Sequence, residues 1–196
     1  MQQLSQEGLT PEQLIDGLPQ FMARISELND ALGIDLGLYQ ADHIAVRINE
    51  FTVAQQAHQQ WLLRAKEWSN TEINGRPIIA LGFDEPICAG EWEIECLELP
   101  YPGNKTYPEQ GWEHIEWVIP CDAQTPEQFL DVLFEIFPKL AQRWDQLSNN
   151  GIKVKLSSPQ GEHERLANPT VAFKKNGVCI KLHPHSLKAV IESEQE

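Results

Sequence analysis

GWEHIEWVIP, residues 111–120, decides how the chain is read, because it sets His114 and Glu116 two positions apart inside a run that otherwise spells a strand. Ile115, Trp117, Val118 and Ile119 are β-branched or aromatic, and Gly111 and Pro120 bracket them. Side chains at i and i+2 of a strand share a face, so His114, Glu116 and Val118 line one side while Ile115, Trp117 and Ile119 line the other. An antiparallel sheet with one wet face would accommodate such polar residues at no cost. A second copy argues for more than that.

DHIAVRI, residues 42–48, has the same form: an acid, then His43, then alternation that places His43, Ala45 and Arg47 on one face. Each strand is followed by a helix start, Thr52 with Gln55 and Thr125 with Pro126 and Gln128. The reading is an internal duplication of a strand–helix–strands unit, which would bring two histidines together.

The rest of the chain fits around this pair. Residues 10–32 carry an apolar stripe of helical period, with Thr10, Pro11 and Gln13 opening it, a break or kink expected at Gly17-Leu18-Pro19, and Gly33 closing it. The first copy is expected as a strand over 41–49, a helix over 53–68, a short strand near 70–73 turning at Asn74-Gly75 into 77–83, a turn at 84–86, and a strand over 91–99. The strand over 91–99 sets Glu98 at the end of its apolar face. The second copy is expected as a strand over 112–119, a helix over 126–147 kinked at Pro138, a strand over 151–156, and a hairpin of 170–173 with 177–183. Ser186 then caps a last helix. The segment from Pro100 to Pro108, rich in Pro, Gly and Tyr, reads as the linker.

Acidic residues outnumber basic ones 29 to 15 for a net charge of −14, and no Lys/Arg cluster breaks the balance, which disfavours nucleic acid. No apolar run approaches the roughly 20 residues a membrane span needs, and the first residues do not read as a signal peptide, so a cytoplasmic protein is expected. The four cysteines form no C-x-x-C pair and are expected as reduced, buried or half-buried thiols.

His43, Glu98 and His114, with His183 as a fourth, are the candidate metal set. Imidazole with carboxylate suits zinc, iron, manganese, nickel or cobalt, and two histidines with one carboxylate also describe non-haem iron oxygenases. His58 reads as a solvated helix residue.

ADHIAVR, INGRPI, ELPYPG, GWEHIEWVIP, SSPQGEHERLANPT and KLHPHS together resemble the YecM family of the vicinal oxygen chelate superfamily, over residues from about 10 to 195. The resemblance implies an α+β fold: two βαβββ modules, residues 39–103 and 104–196, forming a curved mixed sheet around a shared cavity, with an N-terminal helical arm over 1–38. It implies a divalent metal held by residues matching His43, Glu98, His114 and the 181–183 region. Lys181 departs from the Glu or Gln of that pattern, and a protonated lysine only donates, so either His183 supplies the fourth ligand or Lys181 meets an anionic substrate. Glu116 is then the candidate base, and Arg47, Arg76 and Arg165 are candidates for substrate anions. The implied activity is isomerase, epimerase or lyase chemistry on a small oxygen-rich anion. The rivals are a non-catalytic small-molecule binder, an iron oxygenase, and a regulatory protein docking through residues 10–32. The expected partner is a small molecule, and a homodimer is the assembly that the reading allows.

Overall fold

The computed structural model describes residues 2–73, 75–158 and 166–195. The fold is α+β, and the order β-α-β-β-β occurs twice in it. The elements are α1 (Gln2–Gln6), α2 (Pro11–Leu32), β1 (Gln40–Arg47), α3 (Phe51–Trp61), β2 (Ala65–Ile73), β3 (Arg76–Ala89), β4 (Trp92–Pro100), β5 (Gly111–Val118), α4 (Pro126–Ile136), α5 (Pro138–Arg143), β6 (Lys153–Ser157), β7 (Thr170–Lys175), β8 (Val178–His183) and α6 (Leu187–Gln195). By internal packing the chain divides into two compact units. The first holds the residues through Met22 with His43–His114, and the second holds Ala23–Asp42 with the residues from Ile115 on.

In the first unit the strands lie in the order β2-β3-β4-β1, followed by the opening residues of β5. The pairing is mixed: β1 runs parallel to β4, with His43 opposite Cys96 and Ala45 opposite Glu98, while β2–β3 and β3–β4 are antiparallel. That register sets the carboxylate of Glu98 one strand away from the imidazole of His43. The start of α2 carries the expected capping box, with the Gln13 N–H donating to Thr10 Oγ1 at 3.3 Å and the Thr10 N–H to Gln13 Oε1 at 3.1 Å.

Several expected boundaries differ. The helix does not break at residues 17–19: α2 runs through Pro19 as one 22-residue element. An internal proline costs roughly 3 kcal/mol, but Leu14, Leu18, Phe21 and Ile25 are each at most 4% exposed. Burying each such side chain contributes roughly 1.5–3 kcal/mol, so packing on both sides of Pro19 outweighs it. The helix expected over 53–68 stops at Trp61, and Ala65 and Trp68 belong to β2. Trp68 lies across Gly82, where an added Cβ would meet the indole at 1.9–2.3 Å; a cross-strand contact had produced an apparently helical spacing. The start signal of α3 also differs, since Glu50 is its N-cap with no side-chain bond and Thr52 lies inside it. No turn forms at 84–86, because β3 runs on to Ala89; the ladder with β4 shifts between Gly82 and Ile87, and Pro86 sits in that irregular stretch, where a missing N–H is tolerated. At the β2–β3 turn Gly75 adopts φ 72°, and Asn74 lies outside the described residues.

In the second unit β8, β7 and β6 follow the remaining residues of β5. The β7–β8 hairpin turns through Asn176 and Gly177, at φ 49° and 79°. Thr125 caps α4 by accepting from the Gln128 N–H at 3.2 Å, with Pro126 in the first turn. The helix expected over 126–147 is two helices, interrupted at Phe137 before Pro138, and a 3₁₀ turn over Trp144–Gln146. Gly33 closes α2 at φ 74°, its N–H donating to the Asp30 carbonyl at 3.2 Å, and Arg143 Nη1 donates to the last-turn carbonyls of Asp30 at 2.6 Å and Ala31 at 3.0 Å. Ser186 Oγ accepts from the Ala189 N–H at 3.1 Å and so caps α6. All four cysteines are free thiols; Cys96 and Cys179 are buried and Cys121 half-buried, but Cys88 is exposed.

Candidate metal centre

Within the first unit, β1, β4 and β5 each deliver one member of a buried cluster. His43 Nε2 lies 3.7 Å from Glu98 Oε2, and His114 Nε2 lies 3.9 Å from Glu98 Oε1. The two imidazole centroids are 6.2 Å apart with planes at 77°. Both histidines are at most 3% exposed, and the Glu98 side chain is 18% exposed. One atom from each residue falls within 4.8 Å of the others.

The donor set suits a divalent transition ion. With ligand bonds of about 2.0–2.2 Å, neighbouring donor atoms around such an ion stand about 3–3.5 Å apart. The two histidine–Glu98 distances here, 3.7 and 3.9 Å, are longer than that. Glu113 adds orientation: its carboxylate makes a close hydrogen bond to His114 Nδ1. A carboxylate only accepts, so Nδ1 carries the proton and, in the neutral ring, Nε2 presents its lone pair on the side of Glu98.

Arg47, expected at a substrate anion, has its Nη2 3.6 Å from the same Glu113 oxygen, and its guanidinium stacks 4.2 Å from the Tyr107 ring centre. Tyr107 is pinned through its backbone by both amide atoms of Asn49, at 2.8 and 2.9 Å. Arg76, at the start of β3, donates to the Tyr101 carbonyl at 3.4 Å. Arg165 lies outside the described residues.

The remaining candidates lie in the second unit. Lys181 Nζ donates to Glu116 Oε1 at 2.6 Å, so the lysine meets a carboxylate of its own chain. His183 has a polar group beside each ring nitrogen. Nε2 stands 3.3 Å from Asp42 Oδ2, and Nδ1 is 3.0 Å from the Asn168 amide. The Asn168 oxygen accepts from the His185 N–H at 3.0 Å, which turns its NH₂ toward His183 Nδ1 and leaves the His183 ring proton on Nε2, facing Asp42. Asp42 Oδ2 also accepts from the Leu187 N–H at 2.8 Å and so pins the start of α6. Burial lowers the pKa of the neighbouring His185, and the adjacent His183 adds to the shift.

Sequence reading had passed over Glu113 and Asn168. The signal for Glu113 was present, since each strand histidine follows an acid, but strict alternation assigns neighbours to opposite faces and hid the contact. His58 is a further correction. It is half-buried in the first unit, with Nδ1 3.2 Å from the Tyr101 hydroxyl and Nε2 3.1 Å from Glu67. The Tyr101 phenol is pushed above its ordinary range by burial and then by the Glu67 charge, which keeps it a donor to His58.

Comparison with known proteins places the chain among relatives of matching length. The family model described as YecM protein matches residues 10–194. Protein YecM of Escherichia coli K12 is 38% identical over 185 residues, covering 94% of each chain. An uncharacterized protein of Haemophilus influenzae Rd is 33% identical over 193 residues, covering 93% of each. The solved structure of Protein EC4020 superposes with a TM-score of 0.80 at 34% identity, covering 96% of this chain and 94% of the other.

Proposed function

This chain belongs to the YecM family, and on that footing we propose that it is a divalent-metal-dependent enzyme of vicinal oxygen chelate type, an isomerase, epimerase or lyase acting on a small oxygen-rich anion. The supporting observation is the buried cluster of His43, Glu98 and His114, with Glu98 3.7 and 3.9 Å from the two imidazoles. These three residues hold the ion in this reading. His183, beside Asn168 and Asp42 in the second unit, is assigned no role in this reading. A bound divalent ion supplies Lewis acidity toward substrate oxygens. Strand alternation directs Glu116 to the His114 face of β5, and we assign it the movement of a proton. Arg76 and Arg165 are retained as candidates for the substrate's negative charge.

The bond between Lys181 and Glu116 favours a second reading, a protein that binds such an anion without turnover. A carboxylate held by a lysine at 2.6 Å is a weaker base until that pair opens. Elemental analysis of protein purified without chelator, repeated on His43→Ala and His114→Ala, tests the metal. Stoichiometric metal that both substitutions leave in place refutes the site. Calorimetry against a set of small hydroxy and keto acids then separates the two readings. Binding followed by conversion supports the enzyme, whereas binding with no conversion by the metal-loaded protein supports the binder.

A further inference from the structure

We infer that Glu113, steadied by Arg47, is a positioning residue for His114, an assignment that rests on the metal reading only for its purpose. Glu113 meets the imidazole at Nδ1, while Glu98 lies on the side of Nε2. By accepting the Nδ1–H it fixes the ring's rotation and its tautomer together, and the Nε2 lone pair is left 3.9 Å from Glu98 Oε1. Two electron-rich atoms then face one another inside the unit, an arrangement that a cation relieves.

Arg47 makes this a built support. Its Nη2 reaches the Glu113 oxygen at 3.6 Å, while its other face lies on Tyr107 at 4.2 Å. Asn49 bonds the N–H and the carbonyl of Tyr107, and the Asn49 N–H in turn donates to Gln110 Oε1 at 2.7 Å. The segment read from sequence as a linker therefore braces an arginine, the arginine braces a carboxylate, and the carboxylate aims a histidine. Hydrogen-bonded partners of this kind change metal affinity by about 10–100-fold when removed.

Long-range proton–nitrogen NMR of the metal-free protein tests the assignment directly, because it reads the tautomer of His114 whether or not any ion binds. Expected is a neutral His114 ring protonated at Nδ1, with that preference lost in Glu113→Ala and weakened in Arg47→Met, while thermal melts confirm that both variants are folded. Zinc affinity, measured by chelator competition, is expected to fall about 10–100-fold in Glu113→Ala and by less in Arg47→Met. Read at a pH at which the ring is neutral, a proton on Nε2 in the unsubstituted protein, or a tautomer indifferent to Glu113→Ala, overturns the inference. A tautomer that switches as expected in a protein that binds no zinc upholds the positioning role and refutes the metal reading instead.

Discussion

Gly82 and Trp68 show how a single position can decide the fate of a segment. The spacing of Ala57, Trp61, Ala65 and Trp68 is helical on paper, yet Trp68 leaves the helix because Gly82 clears a path for its indole across the β2–β3 pair. Gly82→Ala should therefore destabilise the chain by about 1–3 kcal/mol, read as a lower urea midpoint with a shifted tryptophan emission; an unchanged midpoint would show that the contact yields. Tyr101 supplies a pH test at the same scale. Its folded-state pKa lies above the ordinary 10.0, so the unfolded chain ionises first as pH rises past that value. The folded state accordingly holds its full stability below pH 10 and loses it progressively above. Urea titrations should show a fall above pH 10 that is shallower in Tyr101→Phe; equal slopes would refute the burial argument.

Two helix starts looked alike as sequence, and only one of them is capped by its threonine. Thr125 accepts from the Gln128 N–H, whereas Thr52 lies one residue inside α3 behind an N-cap that makes no side-chain bond. Thr125→Ala should cost about 1 kcal/mol, whereas Thr52→Ala, inside the helix and exposed, should be neutral or stabilising by a few tenths, measured by denaturant unfolding. Equal costs would restore the sequence reading. The contrast has a physical cause: a Ser/Thr-x-x-Gln pattern offers a cap, but tertiary packing of Val53, Ala54, Ala57 and Trp61 decides which residue begins the helix. Helix α2 carries the same lesson, since a break or kink was expected at Gly17-Leu18-Pro19 and buried leucines on either side carry the helix through Pro19. Its end is also made by tertiary contact, through Arg143, and in sequence the only sign of that end was Gly33.

Across the whole chain, the duplication was readable because it leaves two marks that survive divergence: an acid–His strand and the helix that follows it. Both copies fold as β-α-β-β-β. Alternation in β4 was enough to place Glu98 on the apolar face that ends beside His43. Residues whose role depends on a partner distant in sequence were less visible. Lys181 could not be matched to Glu116, nor His183 to Asp42 and Asn168, by any spacing rule, since strand pairing creates those meetings. Charge and hydropathy excluded little more than the obvious, and among the described residues no helix is long and apolar enough to cross a membrane. The central claim is that β1, β4 and β5 assemble His43, Glu98 and His114 into one divalent-cation site. X-ray absorption at the edge of the ion bound by the purified protein tests it most directly. The account predicts a spectrum fitted by two imidazole nitrogens and carboxylate oxygen, with one imidazole lost in either His43→Ala or His114→Ala; a spectrum that both substitutions leave unaltered would contradict it.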